Sequence, residues 1–440
     1  QATAVAAVGV GVQRLRGPET VVEDLARAAN RALADQRPVM LSIPADLQER
    51  TCNLEALASV RRQGRTRPIL PDPAVISELA DLVERSKRPL IIGGRGAVRS
   101  EARDQLIALG DRIGALLSNS GQAKAFFVGH PFNIGVTGRL ASPLAARLVG
   151  QADLVLAFGA RLTFWGTRSP LPGRTRERIF SDDAQIVQCD TNPAALGSLT
   201  SIRLGVLGDA AATAEALLGE LARRGFGSNG FRSTALQDEI ASFRLPDKLD
   251  SPMADGCADP VALFCQLDAW LPRERTVAVD SGRFLEFPAR YLTVPEPSAW
   301  VFTQDFMSLG LGLGSAVGAA IARPDRLTVA VIGDGGLMMS LGELDTLVRY
   351  KLPILVLVVN DHAYGPEVEM LQLHDMPIDH AMFDDVDFAA IARDVGARGF
   401  TVRSQGDLDQ LRPWLETPDG PLVVDCKIDP LFKSEGRLGA

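Results

Sequence analysis

The sequence predicts an α/β protein made of doubly wound, parallel-sheet domains in tandem. Three observations carry this. Short apolar runs alternate with helix-length amphipathic segments over most of the chain, the pattern of a parallel sheet covered on both faces. Several of these runs end in glycine-containing turns, where open α/β sheets meet their crossovers. At 440 residues the chain also exceeds what a single hydrophobic core usually holds.

Taken in order, residues 1–12 are a small-residue apolar run without an initiator methionine, so the chain is expected to begin inside a longer or processed protein. Residues 19–35 have helical periodicity, with Val21, Val22, Leu25, Ala28, Ala29 and Leu33 on one face. Arg37 to Pro44 reads as a short buried strand. One helix and one strand do not close a domain, so residues 1–50 are expected to be the tail of one. Residues 51–71, with the basic cluster Arg61-Arg62-Gln63-Gly64-Arg65, read as a linker. A second domain is expected over 72–225, with strands at 89–92, 115–117, 153–158, 185–188 and 202–206 and helices at 74–86 and 209–224. Residues 226–252 read as a second linker. A third domain is expected over 253–440, with strands at 276–279, 327–332, 352–359 and 421–425.

Composition excludes several classes. Hydrophobic residues make up 46% and charged residues 23%, as in folded globular proteins. The net charge of −8 and the lack of a basic block argue against a nucleic-acid partner. No apolar run is long enough to cross a bilayer; Leu309 to Ile321 is too short and carries four glycines. No secretory signal is read at the start of the given sequence. Cys52, Cys189, Cys257, Cys265 and Cys426 form no paired spacing, which fits reduced thiols and a cytoplasmic location. The four histidines make no zinc-like pattern.

The stretch richest in chemistry is Ile332-Gly333-Asp334-Gly335-Gly336, with Val358-Val359-Asn360-Asp361 one helix and one strand later. Two parallel strands would bring Asp334 and Asp361 to one sheet edge. Glycines let backbone N–H groups approach phosphate oxygens. Two hard oxygen side chains beside a phosphate suit Mg²⁺. The plainer reading is a βαβ unit with a glycine turn and no ligand.

These residues resemble the diphosphate-binding signature of thiamine-diphosphate enzymes, with Asp361 where that family has a second asparagine. The resemblance implies thiamine diphosphate and Mg²⁺ as cofactors, the metal held by Asp334, Asp361 and the Ala363 carbonyl. It implies cofactor contacts from Gly282, Arg283 and Phe284, from Gly333, Gly335 and Gly336, and from Tyr364 and Gly365. Leu309 falls where the family props the bent cofactor, with Ser308 beside it; otherwise Leu309 is a core leucine. Pro366-Glu367 opens a helix that would wall the substrate side. Glu367 would be a general acid/base if a dry pocket raised its pKa, or else a solvated first-turn glutamate.

Gly93-Gly94-Arg95-Gly96, Gly159-Ala160-Arg161 and Asp190-Thr191-Asn192-Pro193 resemble the Rossmann-like central domain of acetolactate synthases, which holds FAD in that family. Gly93, Gly94, Arg95, Arg161 and Asp190 are the candidate flavin contacts. The acidic pair that follows the arginine there is replaced by Leu162-Thr163-Phe164-Trp165, and many relatives carry no flavin, so both outcomes stay open. The acetolactate-synthase-like resemblance covers nearly the whole chain. It implies decarboxylation or carboligation of a 2-oxo acid in a homodimer or homotetramer. The alternatives are a simple decarboxylase, an acyl-CoA or diketone lyase, and a non-catalytic relative. The resemblance also implies an activating glutamate that residues 1–50 do not supply; it is expected upstream of Gln1 or on a separate chain, which would leave the given chain incomplete for activity.

Overall fold

Buried β-branched runs in this chain become strands, and their alternate residues feed two different cores. The computed structural model describes residues 1–53, 67–170, 177–250, 252–303 and 308–432. They form two compact units, Gln1–Pro68 and Ile69–Ala440.

In the first unit, strand β1 (Gly11–Arg14) pairs in parallel with β2 (Val39–Ser42), Gly11 opposite Val39 and Arg14 opposite Ser42. The helix Val21–Asp35 connects them, and short helices cover Ala2–Ala7 and Ala45–Gln48. The expected single strand is therefore corrected to two. β1 escaped the sequence reading because Gln13 and Arg14 break its apolar run. The start of the long helix is fixed by Asp24, a buried carboxylate. It accepts from the Arg16 backbone N–H at 3.1 Å, Arg16 Nε at 2.9 Å, the Thr20 hydroxyl at 2.9 Å and Gln13 Nε2 at 3.1 Å. Most of the expected linker, 54–66, lies outside the described residues.

The second unit holds two six-stranded sheets, parallel throughout. The central sheet consists of β3 (Pro89–Gly93), β4 (Leu116–Asn119), β5 (Asn133–Val136), β6 (Leu154–Phe158), β7 (Gln185–Asp190) and β8 (Leu204–Leu207), in the order β5-β4-β3-β6-β7-β8. Its faces follow the two-residue strand period. Ile91 joins the core under helices Pro73–Arg85, Arg103–Ile113 and Ala210–Arg223, while Leu90 and Ile92 join the opposite core under helix Pro143–Val149. The second linker is also corrected. It contains helix Thr234–Ser242, capped by the Ser233 hydroxyl, which accepts from the Leu236 N–H at 3.2 Å. Leu236, Ile240 and Phe243 pack on the central core.

The C-terminal sheet consists of β9 (Arg275–Val279), β10 (Trp300–Phe302), β11 (Leu327–Gly333), β12 (Ile354–Asn360), β13 (Arg398–Val402) and β14 (Leu422–Lys427), in the order β10-β9-β11-β12-β14-β13. β11 and β12 run in register from Thr328 opposite Ile354 to Gly333 opposite Val359. Asp334 and Asp361 therefore leave neighbouring strands at the same edge.

Lys124 ties the two sheets together. From the turn after β4, its Nζ donates to the carbonyls of Pro288, Ala289 and Leu292 at 2.9, 2.7 and 2.6 Å, and lies 4.4 Å from the centre of the Trp300 ring. Burial pushes its pKa down to about 7. Three carbonyls and an aromatic face oppose that push, and three acceptors match the three N–H groups of an ammonium. All five cysteines are free. Among the described residues no helix is long and apolar enough to cross a membrane.

Candidate active site

In an open parallel sheet, the crevice for a ligand opens where strands on either side of it continue in opposite directions. In the C-terminal sheet that point lies between β9 and β11. Asp280 follows β9 and is fully buried. Its carboxylate accepts from the N–H of Ser281 at 2.7 Å and of Gly310 at 2.9 Å, and it also bonds the N–H groups of Leu311 and Gly312. It thereby fixes the turn that opens helix Gly312–Ala322. Burial raises its pKa and these N–H groups lower it, with burial ahead. Gly336 lies against this carboxylate: a Cβ there would stand 2.7 Å from Asp280 Oδ2. Leu309 and Ser308 lie half-buried in the same turn, the Ser308 hydroxyl donating to the Leu309 carbonyl at 3.1 Å. Residues 304–307, which precede Ser308, lie outside the described residues.

Asp334 opens a short helix after Gly333. Its Oδ1 accepts from the Gly335 N–H at 2.8 Å, while Oδ2 is buried without a partner. Burial first, and the charge of Asp361 second, raise its pKa to about 7; the N–H groups of Gly335, Ala363 and His362 oppose this. Asp361 is buried as well, and burial raises its pKa against the pull of Arg283. Arg283 Nη2 donates to Asp361 Oδ2 at 2.5 Å and to the Pro430 carbonyl at 2.8 Å, and the guanidinium lies 4.3 Å from the centre of the Phe432 ring. Gly365 closes this corner: a Cβ there would come within 2.7 Å of Arg283 Nε and 2.9 Å of Asp361 Oδ2. The Tyr364 ring covers Gly335 and meets Phe383 edge-on at 4.6 Å. Phe284 is buried, and Gly333 faces its ring.

The structure thus gathers Gly282, Arg283 and Phe284, Gly333 to Gly336, Asp361, Ala363, Tyr364 and Gly365 at one sheet edge. Two buried carboxylates with one orphaned oxygen are what a divalent cation would complete, with hard oxygen ligands. Among the described residues no group of three or more His, Cys, Asp or Glu could hold a metal, so a third ligand must come from the backbone or the ligand itself. Glu367 is exposed in the first turn of helix Gly365–Leu373. Exposed there, it does not stand in the dry pocket that the acid/base reading expects.

Beneath the metal loop lies a network that motif reading missed. Asn360 Nδ2 donates to Asp425 Oδ1 at 2.9 Å, and Asp425 Oδ2 lies 2.9 Å from Lys427 Nζ. Lys427 also bonds Asp385 and donates to the Val386 carbonyl at 2.7 Å. Buried Asp425 and Lys427 moor Asn360, the residue before Asp361, with Asp385 at the exposed end of the network. The available signal was two charges, Asp425 and Lys427, inside an otherwise apolar strand.

The central sheet has its own crevice between β3 and β6, but glycines fill it. Gly94 N–H donates to the Phe158 carbonyl and Gly96 N–H to the Gly159 carbonyl, both at 2.9 Å. A Cβ at Gly94 would stand 2.3 Å from the Gly159 oxygen, and one at Gly93 would stand 2.6 Å from the Phe126 ring. Arg95 and Arg161 are exposed, and Asp190 accepts the Asn192 N–H at 2.8 Å. The N–H groups of Gly94 and Gly96 are spent on the facing loop and are not open to a pyrophosphate, so these residues do not fit the flavin.

Comparison with known proteins agrees with this geometry. Residues 280–426 match the C-terminal TPP-binding domain of thiamine pyrophosphate enzymes, and residues 76–217 match their central domain. The chain belongs to the thiamine pyrophosphate enzyme family. Among relatives of this thiamine pyrophosphate enzyme, sulfoacetaldehyde acetyltransferase of Alcaligenes xylosoxydans xylosoxydans is 27% identical over 88% of the chain and 66% of its own length. The acetolactate synthase large subunit of Parasynechococcus marenigrum is 27% identical over 89% of the chain and 62% of its own length. A second sulfoacetaldehyde acetyltransferase, from Castellaniella defragrans, is 28% identical over 88% and 66%. The chain therefore spans somewhat less than two thirds of the length of these relatives.

Proposed function

We propose that this thiamine pyrophosphate enzyme is acetolactate-synthase-like: it decarboxylates a 2-oxo acid and joins the remaining carbon unit to a small acceptor, with Mg²⁺ as the second cofactor. The observation that carries the reading is the buried, unpartnered Asp334 Oδ2 beside buried Asp361 at the mouth of the C-terminal sheet. Thiamine diphosphate supplies a carbanion sink when bound. The protein's own residues do the rest. Asp334 and Asp361, with the Ala363 carbonyl, would hold the metal. Asp280 fixes the Gly310 turn, Tyr364 and Phe383 wall the metal loop, and Arg283 adds positive charge beside Asp361. The reading includes no flavin, since the central-domain glycines are engaged with each other.

The acceptor divides two readings, a second 2-oxo acid or a sulfonated aldehyde, because relatives named for each are equally similar. We place the protein in the cytoplasm, in line with its free thiols, and pair it with a second copy of itself. The helix after Asp334 buries Leu337 but exposes Met338 and Met339. Such an apolar surface suits a partner. The test is calorimetric titration of the full-length protein with thiamine diphosphate with and without Mg²⁺, then product analysis with pyruvate alone and with added sulfoacetaldehyde. Micromolar, Mg²⁺-dependent binding and a coupled product are expected; absence of cofactor binding overturns the reading.

A further inference from the structure

The metal loop carries a cation of its own. Arg283 belongs to the turn Arg283–Leu285 after β9 and reaches across to Asp361, which follows β12. Three contacts fix it there. Its Nη2 donates to Asp361 Oδ2 at 2.5 Å and to the Pro430 carbonyl at 2.8 Å, and its guanidinium lies 4.3 Å from the centre of the Phe432 ring. Phe432 is itself buried, its ring 5.7 Å from that of Phe287, so the guanidinium is backed by core. Gly365 leaves room for this reach: a Cβ there would stand 2.7 Å from Arg283 Nε and 2.9 Å from Asp361 Oδ2. The two side chains are only 6% and 12% exposed, so solvent ions screen the pairing little.

Each carboxylate of the site is half-engaged in the same way. Asp334 gives Oδ1 to the Gly335 N–H at 2.8 Å and keeps Oδ2 without a partner. Asp361 gives Oδ2 to Arg283, which leaves Oδ1 for a cation. A guanidinium 2.5 Å from one oxygen repels a second cation that would share it. Asp361 therefore offers one oxygen and not two. That number bears on the identity of the metal. Ca²⁺ is large, takes roughly six to eight oxygens in flexible geometry and accepts both oxygens of one carboxylate. Mg²⁺ is smaller and demands octahedral angles, which the narrow bite of a single carboxylate fits poorly.

We propose that Arg283 is a specificity-determining residue for the metal: by holding Asp361 Oδ2 it confines Asp361 to a single ligand oxygen and selects Mg²⁺ over Ca²⁺. The proposal rests on the functional reading above, which supplies the metal, and adds how this chain chooses it. The same pairing cancels the charge of Asp361, so that an anionic diphosphate beside the metal meets less repulsion.

The test uses the full-length protein, the variant R283Q and the double variant R283Q/D361N. Each is titrated calorimetrically with Mg²⁺ and with Ca²⁺ in the presence of thiamine diphosphate, and the readout is the ratio of the two affinities. Wild type is expected to favour Mg²⁺; the reverse order overturns the proposal without any variant. R283Q should move the ratio toward Ca²⁺ by about tenfold or more, the scale of one contact to a charged group. R283Q/D361N should return the ratio to the wild-type value, because an asparagine has one oxygen to offer. An arginine that merely supports the fold would weaken both metals alike and lower the melting temperature, leaving the ratio in place. An unchanged ratio in R283Q therefore overturns the proposal, as does a double variant that keeps the R283Q ratio. In either case Mg²⁺-dependent cofactor binding by the wild type leaves the functional reading standing. Absence of that binding overturns both.

Discussion

The two six-stranded sheets of this protein share parallel pairing and a central crevice, yet they treat the crevice in opposite ways. In the central sheet the loops after β3 and β6 touch through Gly94 and Gly159, and the N–H groups of Gly94 and Gly96 bond carbonyls across the gap. In the C-terminal sheet, carboxylates stand at the corresponding place: Asp280 after β9, Asp334 after β11 and Asp361 after β12, all buried. The first crevice is satisfied internally. The second holds more negative charge than its own residues neutralise, since Arg283 is bonded to Asp361 and Asp334 Oδ2 has no partner. The same architecture thus yields a structural joint in one case and a cation-seeking site in the other, and the difference lies in a few strand-end residues.

The comparison can be broken most severely from below the metal loop. K427M would leave buried Asp425 without its counter-charge and should cost roughly 3–5 kcal/mol, the usual loss when one partner of a buried pair is removed. Asn360 would lose its mooring, so Mg²⁺-dependent cofactor binding should weaken along with the melting temperature. A variant that melts early but binds cofactor normally would show that Lys427 serves the sheet and not the site.

D334A addresses the site itself. Mg²⁺-linked affinity for thiamine diphosphate should fall by about two to three orders of magnitude, as expected when a hard anionic ligand is lost. D334N should do the opposite to the metal-free fold: relieving a buried, half-satisfied carboxylate should raise stability in chelator by roughly 1–3 kcal/mol. Loss of binding together with a gain in metal-free melting temperature is the signature of a site strained for its ligand. Unchanged calorimetric binding in D334A would falsify the metal assignment.

G94A sharpens the contrast from the other side. The added methyl meets the Gly159 carbonyl and should destabilise by about 1–3 kcal/mol, the range for overpacking. Cofactor affinity should stay at the wild-type value. Loss of flavin colour or of flavin binding in this variant alone would return a nucleotide to the central crevice.

Lys124, the joint between the sheets, carries the smallest effect. An unfolded lysine titrates near ~10.4, and burial alone would set the folded value at about 7. In that case the unfolded chain would hold more protons between those values, and stability would climb as the pH rises through that window. The three carbonyls instead hold the proton. Wild type and K124M should therefore show parallel melting profiles from pH 7 to pH 10. A wild-type curve that climbs relative to K124M would show that burial prevails.

Legibility from sequence followed the same contrast. The central strands β3, β6, β11 and β12 are buried on both faces and read as unbroken apolar runs. The missed strands β5, β10 and β13 are sheet edges. Each is half-exposed in part, and β5 and β13 contain a glycine, so no run stands out in Asn133–Val136 or Arg398–Val402. The helix Thr234–Ser242 was hidden by its polar outer face, though Ser233 marked its start. At the site, Asp334 and Asp361 were legible because a local motif carries them. Asp425 and Lys427 were not, since their partners Asn360 and Asp385 lie far away in the chain.

The uniformly parallel ladders have a consequence in time. No strand in either large sheet is joined to its neighbour by a hairpin, so every pairing waits for a crossover segment to form and dock. β12 pairs with β14 by setting Leu355 beside Leu422, and β13, made before β14, has β14 as its sheet neighbour. Such non-local closures are slow and leave apolar strand edges open while the chain is still incomplete. Lys427, which moors the metal loop, lies at the end of β14. On the ribosome, Asp334 and Asp361 are therefore made well before the residue that anchors their loop, and the site can be completed only when the last strand arrives.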